Sequence, residues 1–154
     1  MTTIREARWP GDVETVRALF REYIASIGAD ISFQDVDAEL AALPGKYAAP
    51  DGAVFLACTQ DACIGIAAFR NFDAATCEMK RMYVRPGHRG QRVGEQLANA
   101  VIDAARVRGY TRMLLDTLAS MRPAIALYRS LGFEEVPAYY DNPLPGATYM
   151  AMRL

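Results

Sequence analysis

The chain has 154 residues, 52% of them hydrophobic and 23% charged, a balance that belongs to a folded globular domain with a single core rather than to a disordered chain. The formal net charge of −1 supplies no global field to attract nucleic acid or an anionic membrane, so any anion site has to be local. No run approaches the roughly 20 apolar residues that span a bilayer, and the start MTTIREARWPGD has no apolar stretch behind a basic leader, so the expected location is the cytoplasm.

In chain order, Ile4 to Ala7 reads as a first strand closed at Trp9-Pro10-Gly11. Asp12 then caps a helix whose Val13, Val16, Phe20, Tyr23, Ile24 and Ile27 recur at helical spacing until Gly28. Ser32 with Asp35 suggests a capping-box start for a second helix, carrying Val36, Leu40 and Leu43 and ended by Pro44-Gly45. Ala53 to Cys58, Cys63 to Phe69 and Cys77 to Val84 read as strands, and their short connections favour antiparallel pairing. Gln91 to Arg108 is the strongest helix, with Val93, Leu97, Val101, Ala104 and Val107 on one face and Gly109 as its stop. Next come a strand at Met113 to Asp116 and a helix from near Ser120 to Gly132 that tolerates Pro123 in its first turn. Strands at Phe133 to Val136 and Thr148 to Leu154 flank a Pro- and Gly-punctuated loop. With no repeat or linker, this order predicts one domain over 1–154, an α/β fold whose mixed sheet carries helices on both faces.

Cys58, Cys63 and Cys77 are odd in number and lack metal spacing, and we read them as reduced. With His88 the only histidine, a metal site or a Ser-His-Asp triad would lack most of its parts. No metal is expected.

The informative segment is Val84-Arg85-Pro86-Gly87-His88-Arg89-Gly90-Gln91-Arg92-Val93-Gly94, a strand end, a Gly-containing turn and the start of the strong helix. Such a turn aims several N–H groups at one point, where the helix dipole adds positive potential and a phosphate can be held. Arg89 and Arg92 sit where cations cost a helix about 0.3 to 1 kcal/mol each, and Arg81 and Arg85 are near in sequence, so a bound polyanion would relieve their repulsion. Taken alone, the glycines could also make a plain turn with the arginines in water.

This segment resembles the acyl-CoA binding signature of the GNAT superfamily, an Arg or Gln followed at the third and fifth positions by Gly and then Gly or Ala. Arg89 fills the first place and Gly94 the last, while Arg92 stands where the family usually has its first Gly. A side chain there either crowds the pyrophosphate or adds a cation to it, and the second is favoured. Leu127-Tyr128-Arg129-Ser130-Leu131-Gly132-Phe133 resembles the family's later motif, although Met121 occupies the place where many members carry an Asn. The resemblance covers about half the chain, Glu78 to Phe133, and implies the GNAT acyl-CoA N-acyltransferase fold, with a central, mostly antiparallel sheet flanked by helices. It further implies that N–H groups among Arg89, Gly90, Gln91, Arg92, Val93 and Gly94 hold the coenzyme A pyrophosphate. Met82, Tyr83 and Val84 would line the pantetheine arm.

The implied reaction moves an acetyl group from acetyl-CoA, a cosubstrate, to a primary amine of a small molecule by direct attack. An alkylamine of pKa near 10.4 is almost wholly protonated at pH 7, which adds roughly 4 to 5 kcal/mol to the apparent barrier and makes a base useful. Glu78 resembles the family's strand glutamate base; with an ordinary pKa near 4.3 it needs burial or a water relay. Strand alternation puts Glu78, Lys80 and Met82 on one face and Met79, Arg81 and Tyr83 on the other, so Lys80 can pair with Glu78 instead. Tyr128 matches the family's tyrosine, a proton donor to the departing thiolate, and Cys77 reads as a packing residue rather than a nucleophile.

In this superfamily the acceptor groove is built from the first two helices and the loop before the last strand. Phe33, Tyr139, Tyr140 and Asn142 are the residues here that could line it, and Arg21 or Arg70 could receive a substrate carboxylate, with nothing in the spacing to choose between them. A sheet edge or an apolar helix face could be shared in a homodimer. Two other readings remain open: a noncatalytic acyl-CoA binding domain, and a protein N-acetyltransferase, for which no basic stripe speaks.

Overall fold

The computed structural model of the chain describes residues 1–154. Its strands are β1 (Thr3–Glu6), β2 (Ala53–Cys58), β3 (Cys63–Asn71), β4 (Thr76–Val84), β5 (Arg112–Leu118), β6 (Glu134–Val136) and β7 (Ala147–Arg153), and its helices are α1 (Val13–Ile27), α2 (Val36–Ala41), α3 (Val93–Val107) and α4 (Arg122–Leu131). They form one sheet in the order β1-β2-β3-β4-β5-β7-β6, antiparallel at every pairing except the parallel β4–β5.

The sheet is buried on both faces, which explains the nearly unbroken apolar character of β2 and β3. On one side Leu97, Val101 and Ala105 of α3 pack with Phe69, Cys77, Met79 and Met113. On the other, Val16, Leu19 and Phe20 of α1 meet Val54, Leu56, Ile66 and Tyr47. Periodic helix stripes against a continuous sheet thus divide the apolar residues into two layers.

The second helix begins differently from its sequence pattern. Asp30 Oδ1 accepts from the Ser32 N–H at 2.9 Å, Ser32–Gln34 forms a 3-10 turn, and Asp35 adopts φ 56° ahead of a short α2 that no side chain caps. The local carboxylate competes for the donor that a capping box needs, so no box forms.

A second correction concerns the cysteines. Cys58 and Cys63 pair across the β2–β3 hairpin, and their sulfurs are bonded to each other; the antiparallel register brings together two residues whose spacing alone reads as reduced. Cys77 is free and buried, and burial pushes its thiol up to about 12. Its Sγ donates to the Arg112 carbonyl at 3.7 Å.

Candidate active site

Two features of β4 create the site. Against β3, Ile66 pairs with Tyr83 while Ala68 pairs with Lys80, so β4 carries one extra residue in that interval. The extra residue sits where Arg81 takes φ 61°, a β-bulge that reverses the faces of the residues beyond it. Met82, expected beside Glu78, packs on the α3 side. Tyr83, expected on the opposite face, lies on the α1 side, edge-on to Tyr23 at 6.2 Å. Arg81 turns to α2, donating to Glu39 at 3.0 and 3.3 Å and to Gln34 at 2.9 Å.

Against β5, β4 is paired only through Thr76, Cys77 and Glu78, whereas β5 continues along β7 to Leu118. The two central strands therefore separate, leaving the β4 edge beyond Glu78 without a strand partner. A cleft opens in the gap, walled from one side by Tyr23, Ile31 and Gln34 and from the other by Met82, Met121 and Tyr128.

The free β4 edge leads to the anion turn. Pro86–His88 forms a 3-10 turn, Gly90 takes φ 82° and Arg92 φ 61°, and α3 begins at Val93 with no side-chain cap. The next backbone donor after Arg89 to find a carbonyl outside the helix interior is Gln96. The N–H groups from Gly90 through Glu95 thus have no backbone carbonyl partner, with the helix dipole behind them, and such a helix start suits a diphosphate. A Cβ at Gly94 would lie 3.5 Å from Leu127 Cδ2 and 3.9 Å from Val84 Cγ2, so α3 starts close against α4 and the end of β4. The conformation of Arg92 is one that glycine adopts freely, which gives the family's usual residue a physical reason.

The arginines separate into two groups. Arg85 is bound by Glu22 of α1, with Nε and Nη2 donating at 2.9 and 2.7 Å, and Arg81 by Glu39, so neither belongs to the turn, contrary to the grouping that sequence proximity suggests. Arg89 and Arg92 remain exposed there. Arg89 Nε donates to the Val84 carbonyl at 2.9 Å, and its guanidinium lies 5.8 Å from the Tyr83 ring centre.

On the α1–α2 side of the cleft lies a buried polar cluster. Glu78 accepts from Tyr139 OH at 2.6 Å and from Arg70 Nε at 3.2 Å, with Lys80 Nζ at 3.9 Å. Asp116 of β5 accepts from Tyr140 OH and, at 3.2 Å, from Asn142 Nδ2, and lies 3.6 Å from Lys80 Nζ. Burial and the Glu78 carboxylate push the Tyr139 hydroxyl well above the usual phenol range, so it stays a donor. Burial pulls Lys80 downward, while Glu78 and Asp116 oppose the shift.

Tyr128 is buried and stacks edge-on to Phe133 at 5.8 Å. It lines the cleft, and burial raises its hydroxyl above the ordinary phenol value. Among the groove residues, Tyr139, Tyr140 and Asn142 all join the polar cluster, while Phe33 is 38% exposed and its neighbours Ile31 and Gln34 face the cleft. Arg21 is exposed on α1 and Arg70 is held by Glu78 and Glu39. In the sequence Asp116 is only the end of a strand; its place in the polar cluster beside the cleft becomes visible once β5 is seen to leave β4.

A mixed sheet split beside a parallel pair, with an uncapped helix N-terminus at the end of the free edge, defines an acyl-CoA-type acyltransferase scaffold. The Acetyltransferase (GNAT) family matches residues 15–133. An uncharacterized N-acetyltransferase of Schizosaccharomyces pombe is 38% identical over 154 residues, covering 99% of this chain and 94% of that protein. The N-acetylaspartate synthetase of Danio rerio is 35% identical over 112 residues, 71% of this chain and 40% of the synthetase. The crystal structure of a Klebsiella pneumoniae protein provisionally assigned as an acyl-CoA N-acyltransferase superposes with a TM-score of 0.78 at 29% identity, covering 100% of this chain and 98% of that one. The chain belongs to the GNAT acetyltransferase family and is an acyltransferase.

Proposed function

We propose that the chain transfers an acetyl group from acetyl-CoA to a primary amine of a small molecule by direct attack in the cleft between β4 and β5. The observation that carries this reading is the continuity of the free β4 edge, from the open N–H groups at α3 to a cleft lined by Tyr128, Lys80 and Asp116. The N–H groups of Gly90 to Glu95, with Arg89 and Arg92, would hold the pyrophosphate, and the backbone of Met82 to Val84 would receive the pantetheine arm. When bound, acetyl-CoA supplies a thioester carbonyl as the electrophile.

The chain's own residues then handle protons. Glu78 stands behind the residues that line the cleft, so it takes the amine proton through a relay, for which the Tyr139 hydroxyl that donates to it at 2.6 Å offers a free lone pair. Tyr128, its proton retained by burial, donates to the departing thiolate. The cations lining the cleft are Lys80 and Arg81, each beside a carboxylate, which supports a small acceptor over a nucleic acid.

Replacing Glu78 with Gln tests the reading. Turnover falls about 10² to 10⁴-fold, most at lower pH where the amine is more protonated, while acetyl-CoA still stabilises the variant. At 100 times its dissociation constant the cosubstrate adds about 2.7 kcal/mol to stability, read as a raised melting temperature, with ATP and NAD as controls. Unchanged turnover would move the base elsewhere. Acetyl-CoA binding with no turnover on any amine in the parent protein would favour a binding domain instead.

A further inference from the structure

The polar cluster beside the cleft contains Glu39, Glu78 and Asp116 against Arg70, Lys80 and Arg81, so its formal charges cancel. Its cations are not equally satisfied. Arg81 makes hydrogen bonds to Glu39 and Gln34, and Arg70 donates to Glu78 at 3.2 Å. The Lys80 ammonium makes no hydrogen bond: its nearest carboxylate oxygens are Asp116 Oδ1 at 3.6 Å and Glu78 Oε2 at 3.9 Å, although its side chain is only 6% exposed. An ammonium has N–H donors to place, and leaving them unfilled in a buried setting is costly.

Every fully buried polar side-chain atom in the molecule has a hydrogen-bond partner, so the Lys80 nitrogen keeps a small accessible surface, and the opening that Lys80 lines is the cleft. Asp116 is its counterpart. Tyr140 and Asn142 both donate to Oδ2, which leaves Oδ1 facing Lys80 with capacity to accept. The cleft thus presents an unsatisfied cation and an incompletely filled carboxylate side by side, with Ile27, Ile31 and Leu144 as apolar walls.

We propose that the acceptor is a zwitterionic α-amino acid, whose carboxylate is taken by Lys80 and whose α-ammonium is taken by Asp116 before it is acetylated. This deepens the acetyltransferase reading and rests on it. An ammonium and a carboxylate borne on one carbon match the spacing of the Lys80–Asp116 pair, and a ligand of zero net charge keeps the cluster neutral. A plain amine would leave Lys80 without an acceptor and add an uncompensated charge. Lys80 is therefore a specificity-determining residue, and neither Arg21 nor Arg70 is the carboxylate receptor.

The test compares each amino acid with the same molecule lacking its carboxylate charge: leucine with 3-methylbutylamine and leucine methyl ester, phenylalanine with 2-phenylethylamine and its methyl ester. Thiol release and product mass give kcat/KM, and calorimetry on the CoA-loaded protein gives binding. The parent protein favours the amino acids by about 10²-fold or more, because a site built around a buried polar group rejects analogues that leave it unpaired. In Lys80→Met that ratio falls to near one, while acetyl-CoA still raises the melting temperature and so reports an intact fold. The double variant Lys80→Met with Asp116→Asn removes both charges together and shows the same lost preference if the single variant does not fold. Equal use of amine and amino acid by the parent protein would overturn the inference and leave the transferase reading standing. If no member of either pair is acetylated although acetyl-CoA binds, this inference falls, and turnover on a wider panel of amines then decides whether the proposed small-amine reaction falls with it.

Discussion

Tyr128 and Glu78 differ in how their side chains are held, and the difference sets what each substitution should do. Glu78 is fixed by Tyr139 and Arg70, so changing it disturbs a buried network as well as the proton transfer proposed for it. Tyr128 lies against Phe133 with its ring buried, and its hydroxyl has no hydrogen bond to lose. Tyr128→Phe should keep the melting temperature and acetyl-CoA affinity of the parent while lowering kcat. Because a thiolate of pKa near 8.5 leaves tolerably without help, the fall should be about 10- to 100-fold, at the low end for a positioned acid. Steady-state kinetics beside a melting curve separates the two effects; an undiminished kcat would remove Tyr128 from the chemistry.

At the scale of elements, β4 shapes the α1–α2 side of the cleft through its bulge, and the bulge is held by α2. Arg81 is 4% exposed and bound by Glu39, so Glu39→Ala leaves a buried guanidinium without its anion. Such a loss costs about 3 to 5 kcal/mol, which for a chain of this length lowers the melting temperature by on the order of 10 °C in a thermal scan. The sheet strands, α1, α3 and α4 are legible in the sequence because apolar periodicity is local and each is bounded by a turn residue. The bulge is not: nothing in Lys80-Arg81-Met82 marks a left-handed residue, since the conformation is imposed by the partner strand and by Glu39 from α2. For the same reason the alternation rule places Met82 and Tyr83 on the wrong faces. The anion turn is readable as a contiguous motif, whereas the contacts Tyr139–Glu78 and Tyr140–Asp116 join residues 61 and 24 positions apart, which no spacing in a single sequence encodes.

Over the whole molecule, the N-terminal edge of the sheet is tied to the helical layer by Arg5, which donates to both oxygens of Asp12 at 2.7 and 2.9 Å, while the Arg8 N–H adds a third bond. The hydrogen bonds from Arg5 hold the Asp12 carboxyl down at about 2. A carboxyl depressed in the folded state stabilises it fully above the ordinary value near 3.9, and that contribution is lost as pH falls through the folded value. Asp12→Asn should therefore melt earlier than the parent at neutral pH, by an amount within the roughly 0 to 1 kcal/mol of exposed ion pairs. The gap should close between about pH 4 and pH 2, as melting curves across that range would record; a gap that persists at pH 2 would assign the stabilisation to something other than this carboxylate. The parting of β4 from β5 has a consequence for traffic. The cleft draws its walls from both helical layers, Tyr23 and Ile27 of α1 on one side and Ala124 and Tyr128 of α4 on the other, so in the proposed reaction donor and acceptor need not queue at a common door.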